Sequence, residues 1–373
     1  MLSVIKKTVL DILDHSCRKK SAGIDDYIDR EIYHPMADAL LLRSLCVLHE
    51  ASLISSARLT SEAKLSVARL EADLEHYSGR GWGLGFAWKN ADDKEVYSIT
   101  TSLVMEALLS VKPYVPVQDN TFETVFSYLC SDAIFKVKQN GLTVPVFSEA
   151  MDFFVANASA KLCSVVLRAN ILGACSLDGQ RVINIGEVLG FITKRCDKSY
   201  GWGYSLLDCD TYDFLHQAYI VEALHDAGEA YSLNSRDLLL LVDSYRFGDG
   251  FVDKVVSYES LEDALSSAAK VKSHTLLPFG DGMIVRWAKP ARAWELGAML
   301  AAISKVLGSK TVEDVAYIAL KQRALLLAEV LVQDMAEQSA YWEKPRVMAH
   351  VLYGLSCYMQ FRRAEVVRRR GDK

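Results

Sequence analysis

The chain is short of several things, and each shortage narrows what it can be. None of its eight cysteines stands in a Cys-x-x-Cys pair. Cys17, Cys46, Cys130, Cys163, Cys175, Cys196, Cys209 and Cys357 are scattered through apolar stretches, as in reduced cytoplasmic proteins where cysteine acts as a small hydrophobe. No uncharged apolar run reaches the roughly 18 residues that a membrane-spanning helix needs. The opening segment, MLSVIKKTVLDILDHSCRKK, sets Lys6, Lys7, Asp11 and Asp14 among its apolar residues and reads as an amphipathic helix, not a leader. Proline is scarce, seven in 373 residues, and falls near expected element ends. No Ser/Gly-rich linker divides the chain. A single domain over 1–373 is expected, with a helical extension at 1–30 and a basic tail at 362–373. A Ser-His-Asp order, a GxSxG elbow, a P-loop and a Rossmann fingerprint are all missing. A net charge of −5 argues against a nucleic-acid partner.

Helical periodicity dominates what remains. Ile99, Leu103 and Ala107 recur every four residues, and Pro113 follows. Phe214, Ala218, Val221 and Leu224 make a second face before Gly228, and Trp294, Gly297, Leu300 and Ala301 a third. Val312 to Met335 and Arg346 to Phe361 read as long helices. Only LTVPVF (Leu142–Phe147) and RVINIG (Arg181–Gly186) read as strands. The Arg-rich end, Arg362, Arg363, Arg368, Arg369 and Arg370, suits a helix C-terminus, with an acidic partner or peripheral membrane contact as the alternative.

An internal repeat organises these helices. RGWGLGFAWKNADDKEVYSITTSLVMEALLSV and YGWGYSLLDCDTYDFLHQAYIVEALHDAG both read Gly-Trp-Gly, a polar acidic loop, then a helix ending Glu-Ala-Leu. Trp82 to Glu106 spans 24 residues, and Trp202 to Glu222 spans 20. FGDGF (Phe247–Phe251), FGDGM (Phe279–Met283) and SAYWEKPRVMAHVLYGLSCYM are weaker relatives. Units this short cannot bury a core alone and must stack. The expected fold is all-α: an α/α toroid of helical hairpins, with an open helical solenoid as the alternative.

Gly201-Trp202-Gly203, then Asp208-Cys209-Asp210-Thr211, then an Ala/Leu helix ending at Gly228, resembles the repeat of terpenoid cyclase and protein prenyltransferase toroids. The resemblance implies a central cavity faced by helix N-termini, and an isoprenoid substrate. Class II cyclases protonate an alkene from an Asp-x-Asp-Thr motif, so it implies Asp210 as general acid with Asp208 as its partner. That role needs a protonated carboxyl in a dry pocket. A helix cap at Asp210 or Thr211 is the plainer reading. Prenyltransferase zinc sites are similar in order to Asp208, Cys209 and His350, although the adjacency of the first two departs from that family's spacing. Asp25-Asp26-Tyr27-Ile28-Asp29 is a DDxxD string of the kind that holds Mg, though an acidic first helical turn explains it more simply. Mg and Zn therefore stand as candidate cofactors beside the expectation of none.

Trp82, Trp202, Tyr204, Trp294 and Trp342 are candidate substrate-binding aromatics, with Trp88, Trp287 and Tyr341 beside them. Such rings could steady a carbocation or stack on a sugar. Six-hairpin glycosidases and polysaccharide lyases share the toroid pattern. A second reading is therefore a carbohydrate-active hydrolase, lyase or epimerase, with an acid/base pair drawn from Asp92, Asp93, Asp208, Asp210, Glu295 and Glu343. A noncatalytic binding scaffold is the third.

Overall fold

The computed structural model describes residues 1–373 apart from 26–29, 88–91, 140, 197–200, 206–209, 249, 270–273, 280–281, 288, 310–313 and 372–373. Among the described residues there are thirteen α-helices: α1 (Leu2–Lys19), α2 (Pro35–Glu50), α3 (Ser56–His76), α4 (Ser98–Val111), α5 (Asp119–Leu129), α6 (Ala156–Ile171), α7 (Gly179–Lys194), α8 (Phe214–Ala227), α9 (Ser235–Ser244), α10 (Leu261–Ala268), α11 (Ala293–Ser309), α12 (Val315–Glu337) and α13 (Pro345–Gly371). Six of these close a ring. α2 packs on α4, α4 on α6, α6 on α8, α8 on α11, α11 on α13, and α13 back on α2. Outside it, α3 lies against α2 and α4, α7 against α6, α12 against α11 and α13, and α1 against α12 and α13. The chain is an α/α toroid, as its repeat predicts.

Burial patterns explain which helices go inside. Outer helix α3 buries one stripe, Leu59, Ala63, Val67, Leu70 and Leu74, and leaves the rest to water. Inner helix α4 buries nearly every residue, including Ser98, Thr100, Ser102 and Glu106. A helix with neighbours on all sides must be apolar or small all round. Where α11 crosses α13 even alanine is too large. A Cβ on Gly297 would lie 2.5 Å from the His350 carbonyl oxygen, and one on Gly354 would overlap that of Gly297.

The two Gly-Trp-Gly loops are built alike. The Trp82 indole N–H donates to the Leu70 carbonyl (2.9 Å), and that of Trp202 donates to Ile192 (2.7 Å). The backbone of each tryptophan is clasped by the fourth residue of the following inner helix. The Thr101 hydroxyl accepts from Trp82 N–H and donates to its carbonyl. The Gln217 amide does the same for Trp202. Both indoles are buried wedges between an outer and an inner helix.

Short strands occupy the loops: β1 (Ala22–Ile24), β2 (Glu31–Tyr33), β3 (Phe135–Gln139), β4 (Leu142–Pro145), β5 (Thr211–Asp213), β6 (Arg246–Phe247), β7 (Gly250–Phe251), β8 (Lys254–Tyr258), β9 (His274–Phe279) and β10 (Gly282–Trp287). β5, β8, β10 and β9 form one antiparallel sheet in that order, and the others pair as hairpins. The LTVPVF expectation is met by β4. RVINIG is not a strand: it lies inside α7, whose start is fixed by Asp178 accepting from Arg181 N–H at 2.7 Å. FGDGF and FGDGM do not lead directly into helices: Phe247 ends β6 and Gly250 begins β7, while Phe279 ends β9 and Gly282 begins β10.

Candidate active site at the mouth of the ring

Every inner helix sends a polar or charged group into the middle of the ring. Arg43 comes from α2, Glu106 from α4, Lys161 from α6, Glu222 and Asp226 from α8, Lys305 from α11 and Tyr353 from α13. Arg43 lies 2.9 Å from Glu106 and 2.7 Å from Glu222. Lys161 bridges the same two carboxylates at 3.1 and 2.5 Å. Lys305 reaches Glu222 at 3.2 Å and pairs with Asp226, and the Tyr353 hydroxyl donates to Glu222 at 2.7 Å. Burial alone would raise the Glu222 pKa. Arg43, Lys161 and Lys305 overcome that and hold the carboxyl well below its ordinary range. Glu106 and Glu222 are the glutamates of the two Glu-Ala-Leu repeats. Oxygens of Glu106, Glu222 and Asp226 lie within 4.8 Å of one another, a spacing that could hold a cation. Arg43, Lys161 and Lys305 already supply that charge.

Above this network, toward the helix N-termini, lies a cavity of about 160 Å³. The first two turns of all six inner helices contribute to its wall: Met36 from α2, Ile99 from α4, Asn157 from α6, His216 and Tyr219 from α8, Trp294 from α11, and Arg346 and His350 from α13. Loop residues Phe86, Phe147 and Tyr204 complete its aromatic side. Among the described residues lining it there is no carboxylate.

The proton positions at this mouth follow from the contacts. His350 Nδ1 lies 2.7 Å from the Arg346 carbonyl, which only accepts, so Nδ1 carries the hydrogen. Nε2 is then the basic nitrogen, 2.5 Å from the Tyr219 hydroxyl that donates to it. His216 stands one turn before Tyr219, its ring 4.5 Å from that of Tyr204. Burial lowers the His216 pKa against the opposing pull of Asp213, which keeps the imidazole neutral and able to accept a proton. The Asn157 side chain is buried, and its oxygen has no hydrogen-bond partner. Trp294 is overlain by Arg346 at 4.4 Å and by Arg292 at 4.3 Å. Behind it sits Glu295, which accepts from Arg292 N–H at 2.8 Å and from the Trp294 indole at 3.1 Å. Burial pushes the Glu295 carboxyl up to about 7 despite Arg292.

The residues singled out from the sequence divide sharply. Tyr204, Trp294 and His350 stand at the mouth cavity. Trp82 and Trp202 are buried wedges away from the mouth cavity, Trp202 bordering a separate cleft. Trp342 packs edge-on against His15 of α1 at 5.2 Å and donates to the Met335 carbonyl. Asp210 is exposed, beside a separate cleft with Trp202 and Arg195, and Ser257 N–H donates to its carbonyl at 2.8 Å. The dry pocket that an alkene-protonating acid needs is not at that carboxyl. Nor does Asp210 or Thr211 cap α8. Residues 211–213 form β5, which delays the helix start, and Asp213 is the cap, accepting from His216 N–H at 3.1 Å. Asp208 and Cys209 lie outside the described residues, as do Trp88, the Trp287 side chain and the string from Asp26 to Asp29. Asp25 is buried, 3.4 Å from Arg346 and 3.8 Å from His34. Among the carboxylates proposed as a glycosidase pair, Asp92 and Asp93 interact with each other, and neither lines the mouth cavity. Asp92 and Asp93 are exposed, Glu295 is buried behind Trp294, and Glu343 pairs with Lys19 at 2.7 Å. Asn157, His216, Tyr219 and Arg346 escaped the sequence reading. Their one signal is a polar residue in the first two turns of a helix that is otherwise apolar all round.

No family model matches the chain, and no curated protein matches it in sequence. Its structure is similar to that of the GH76A α-1,6-mannanase from Salegentibacter sp. HEL1_6, with a TM-score of 0.58 and 9% identity over 96% of this chain and 99% of that one. An unsaturated glucuronyl hydrolase specific for heparin gives a TM-score of 0.58 and 10% identity, over 98% of each chain. A variant of the type II terpene cyclase MstE from Scytonema, in complex with geranylgeranyl dihydroxybenzoate, gives 0.53 and 10%, over 96% and 99%. At such identities the likeness shows the fold: this chain shares the toroid of both carbohydrate-active enzymes and terpene cyclases. No helix among the described residues is long and apolar enough to cross a membrane.

Proposed function

We propose that this chain is a carbohydrate-active enzyme that works by proton transfer at a sugar carbon, in the manner of a lyase or an epimerase. The observation that carries the reading is the pairing, in one cavity, of two imidazoles from different inner helices, one joined to a tyrosine hydroxyl, beside aromatic rings. Structural likeness to a mannanase and a glucuronyl hydrolase supports the sugar, and Trp294 and Tyr204 offer faces for it to stack on. The isoprenoid alternative fits less well, because a carbocation needs an apolar chamber and charged groups fill the ring centre.

The chemistry follows from the tautomers. Neutral His216 takes a proton from a carbon next to a carbonyl or carboxyl, and the Tyr219 hydroxyl, bonded to His350, is the second proton carrier. The electrons move onto that oxygen, where the Asn157 amide and the Arg346 guanidinium can stabilise them. The second proton carrier then delivers a proton, to a leaving oxygen in elimination or to carbon in epimerisation. Protons balance within the two groups, and no redox partner is required. Neutral sugars, sugar acids and their oligosaccharides should be incubated with the protein in D₂O. The expected result is deuterium at one sugar carbon, or an unsaturated product, that disappears in Tyr219→Phe. Glycosidic hydrolysis without any C–H exchange would overturn the proposal in favour of a hydrolase.

A further inference from the structure

We infer that the substrate is a sugar acid whose carboxylate is held at the mouth of the ring by the Asn157 amide and the Arg346 guanidinium. The inference rests on the carbohydrate reading above and names its substrate class.

Three independent features make this mouth a place for an anion. The N-termini of all six inner helices converge on it, and each carries a partial positive charge. Three of the six, α4, α6 and α13, have no acidic residue in their first turn to offset that charge, whereas the Asp213 carboxylate caps α8. The Arg346 guanidinium lines the cavity and stacks on Trp294, and Arg292 stacks on the same ring from outside the cavity lining. Each guanidinium also meets a carboxylate: Asp25 lies 3.4 Å from Arg346, and Glu295 accepts from Arg292. Finally, Asn157 is 4% exposed, faces the cavity, and its side-chain oxygen has no partner. Burying an unpaired amide costs free energy that a bound ligand returns. A half-turn of that amide exchanges oxygen for NH₂, so the same side chain can donate to a carboxylate. A wholly neutral sugar would use the amide but give the converging positive helix ends nothing to attract. The aromatic rings then take the sugar face while the carboxylate points at the helix ends.

Matched sugars that differ only at C6 test this: glucose with glucuronate, galactose with galacturonate, mannose with mannuronate. Binding is measured by ligand-observed NMR and calorimetry at low and moderate salt. The acid of at least one pair is expected to bind about tenfold more tightly than its neutral partner, and less so as salt rises. Asn157→Asp places like charge at the site and should erase the preference of acid over neutral partner. Asn157→Leu, whose melting temperature reports folding, should erase it as well. Equal binding of acid and neutral partner overturns the sugar-acid inference and leaves the carbohydrate reading in place. A preference that survives both Asn157 variants moves the anion elsewhere and overturns this site. Binding of no sugar at all, neutral or acidic, overturns both.

Discussion

The centre of the ring and its mouth are lined by the same six helices, yet they treat polar groups in opposite ways. At the centre, Arg43, Lys161 and Lys305 face Glu106, Glu222 and Asp226, so three cations meet three carboxylates. Arg43, Lys161 and the three carboxylates each have partners on more than one helix, and Lys305 ties α11 to α8. At the mouth, one to two turns away, Asn157 is buried without a partner for its oxygen, and a neutral imidazole sits ready to accept a proton. A matched network holds helices together, whereas an unmatched one waits for a ligand. The teaching is that buried polarity in a toroid is read by its satisfaction, not its presence.

The largest expected effect comes from breaking the centre. Lys161→Met keeps length and removes the charge that bridges Glu106 and Glu222. Removing one partner of a buried pair leaves a charge uncompensated and costs about 3–5 kcal/mol. Denaturant unfolding should show that loss. A change below about 1 kcal/mol would mean that the network contributes little to stability. The mouth should behave inversely. His216→Asn retains a polar side chain at the same place, so stability should hold within about 1 kcal/mol while turnover falls about 10²–10⁴-fold. If His216→Asn unfolds the protein as Lys161→Met does, the two regions are one structural core and the contrast fails.

Much of this architecture was legible in the sequence, and the failures have physical causes. The Gly-Trp-Gly to Glu-Ala-Leu repeat was visible because it encodes a local unit: a wedge, a clasp and an inward carboxylate. What Glu106 and Glu222 do was not visible, since their partners lie on helices far away in the chain. Trp82 and Trp202 looked like cavity walls because glycine-flanked indoles suit either role, and only the Leu70 and Ile192 carbonyls decide for packing. Asp210 drew attention through its motif, yet a three-residue strand moves the cap to Asp213 and leaves Asp210 in water. The mouth itself is assembled from single residues on six helices, and no window of sequence contains two neighbouring helices of that set in register.

The crossing of α11 and α13 joins the two regions, because Gly297 touches the His350 backbone. Gly297→Ala would set a methyl group 2.5 Å from the His350 carbonyl oxygen. The helices must then part, at a cost of about 1–3 kcal/mol. The same shift moves His350 relative to Tyr219, so activity should fall beyond what the lost stability explains. Loss of stability with unchanged turnover per folded molecule would separate the crossing from the mouth.

The smallest effect concerns Glu295, a carboxyl that is buried against the mouth and raised to about 7. Its ordinary value is 4.5, so between those values the folded protein holds a proton that the unfolded chain has released. This contribution to stability is fully present below the unfolded pKa and is lost as pH rises through the folded one. Glu295→Gln cannot titrate and keeps an oxygen for Arg292 and Trp294. Its stability relative to the native protein should therefore improve by about 1 kcal/mol as pH is raised from about 6 to about 8. Thermal melts across that range give the difference directly. A difference independent of pH would show that Arg292 holds the carboxyl near its ordinary value, and that the mouth, like the centre, has every charge matched.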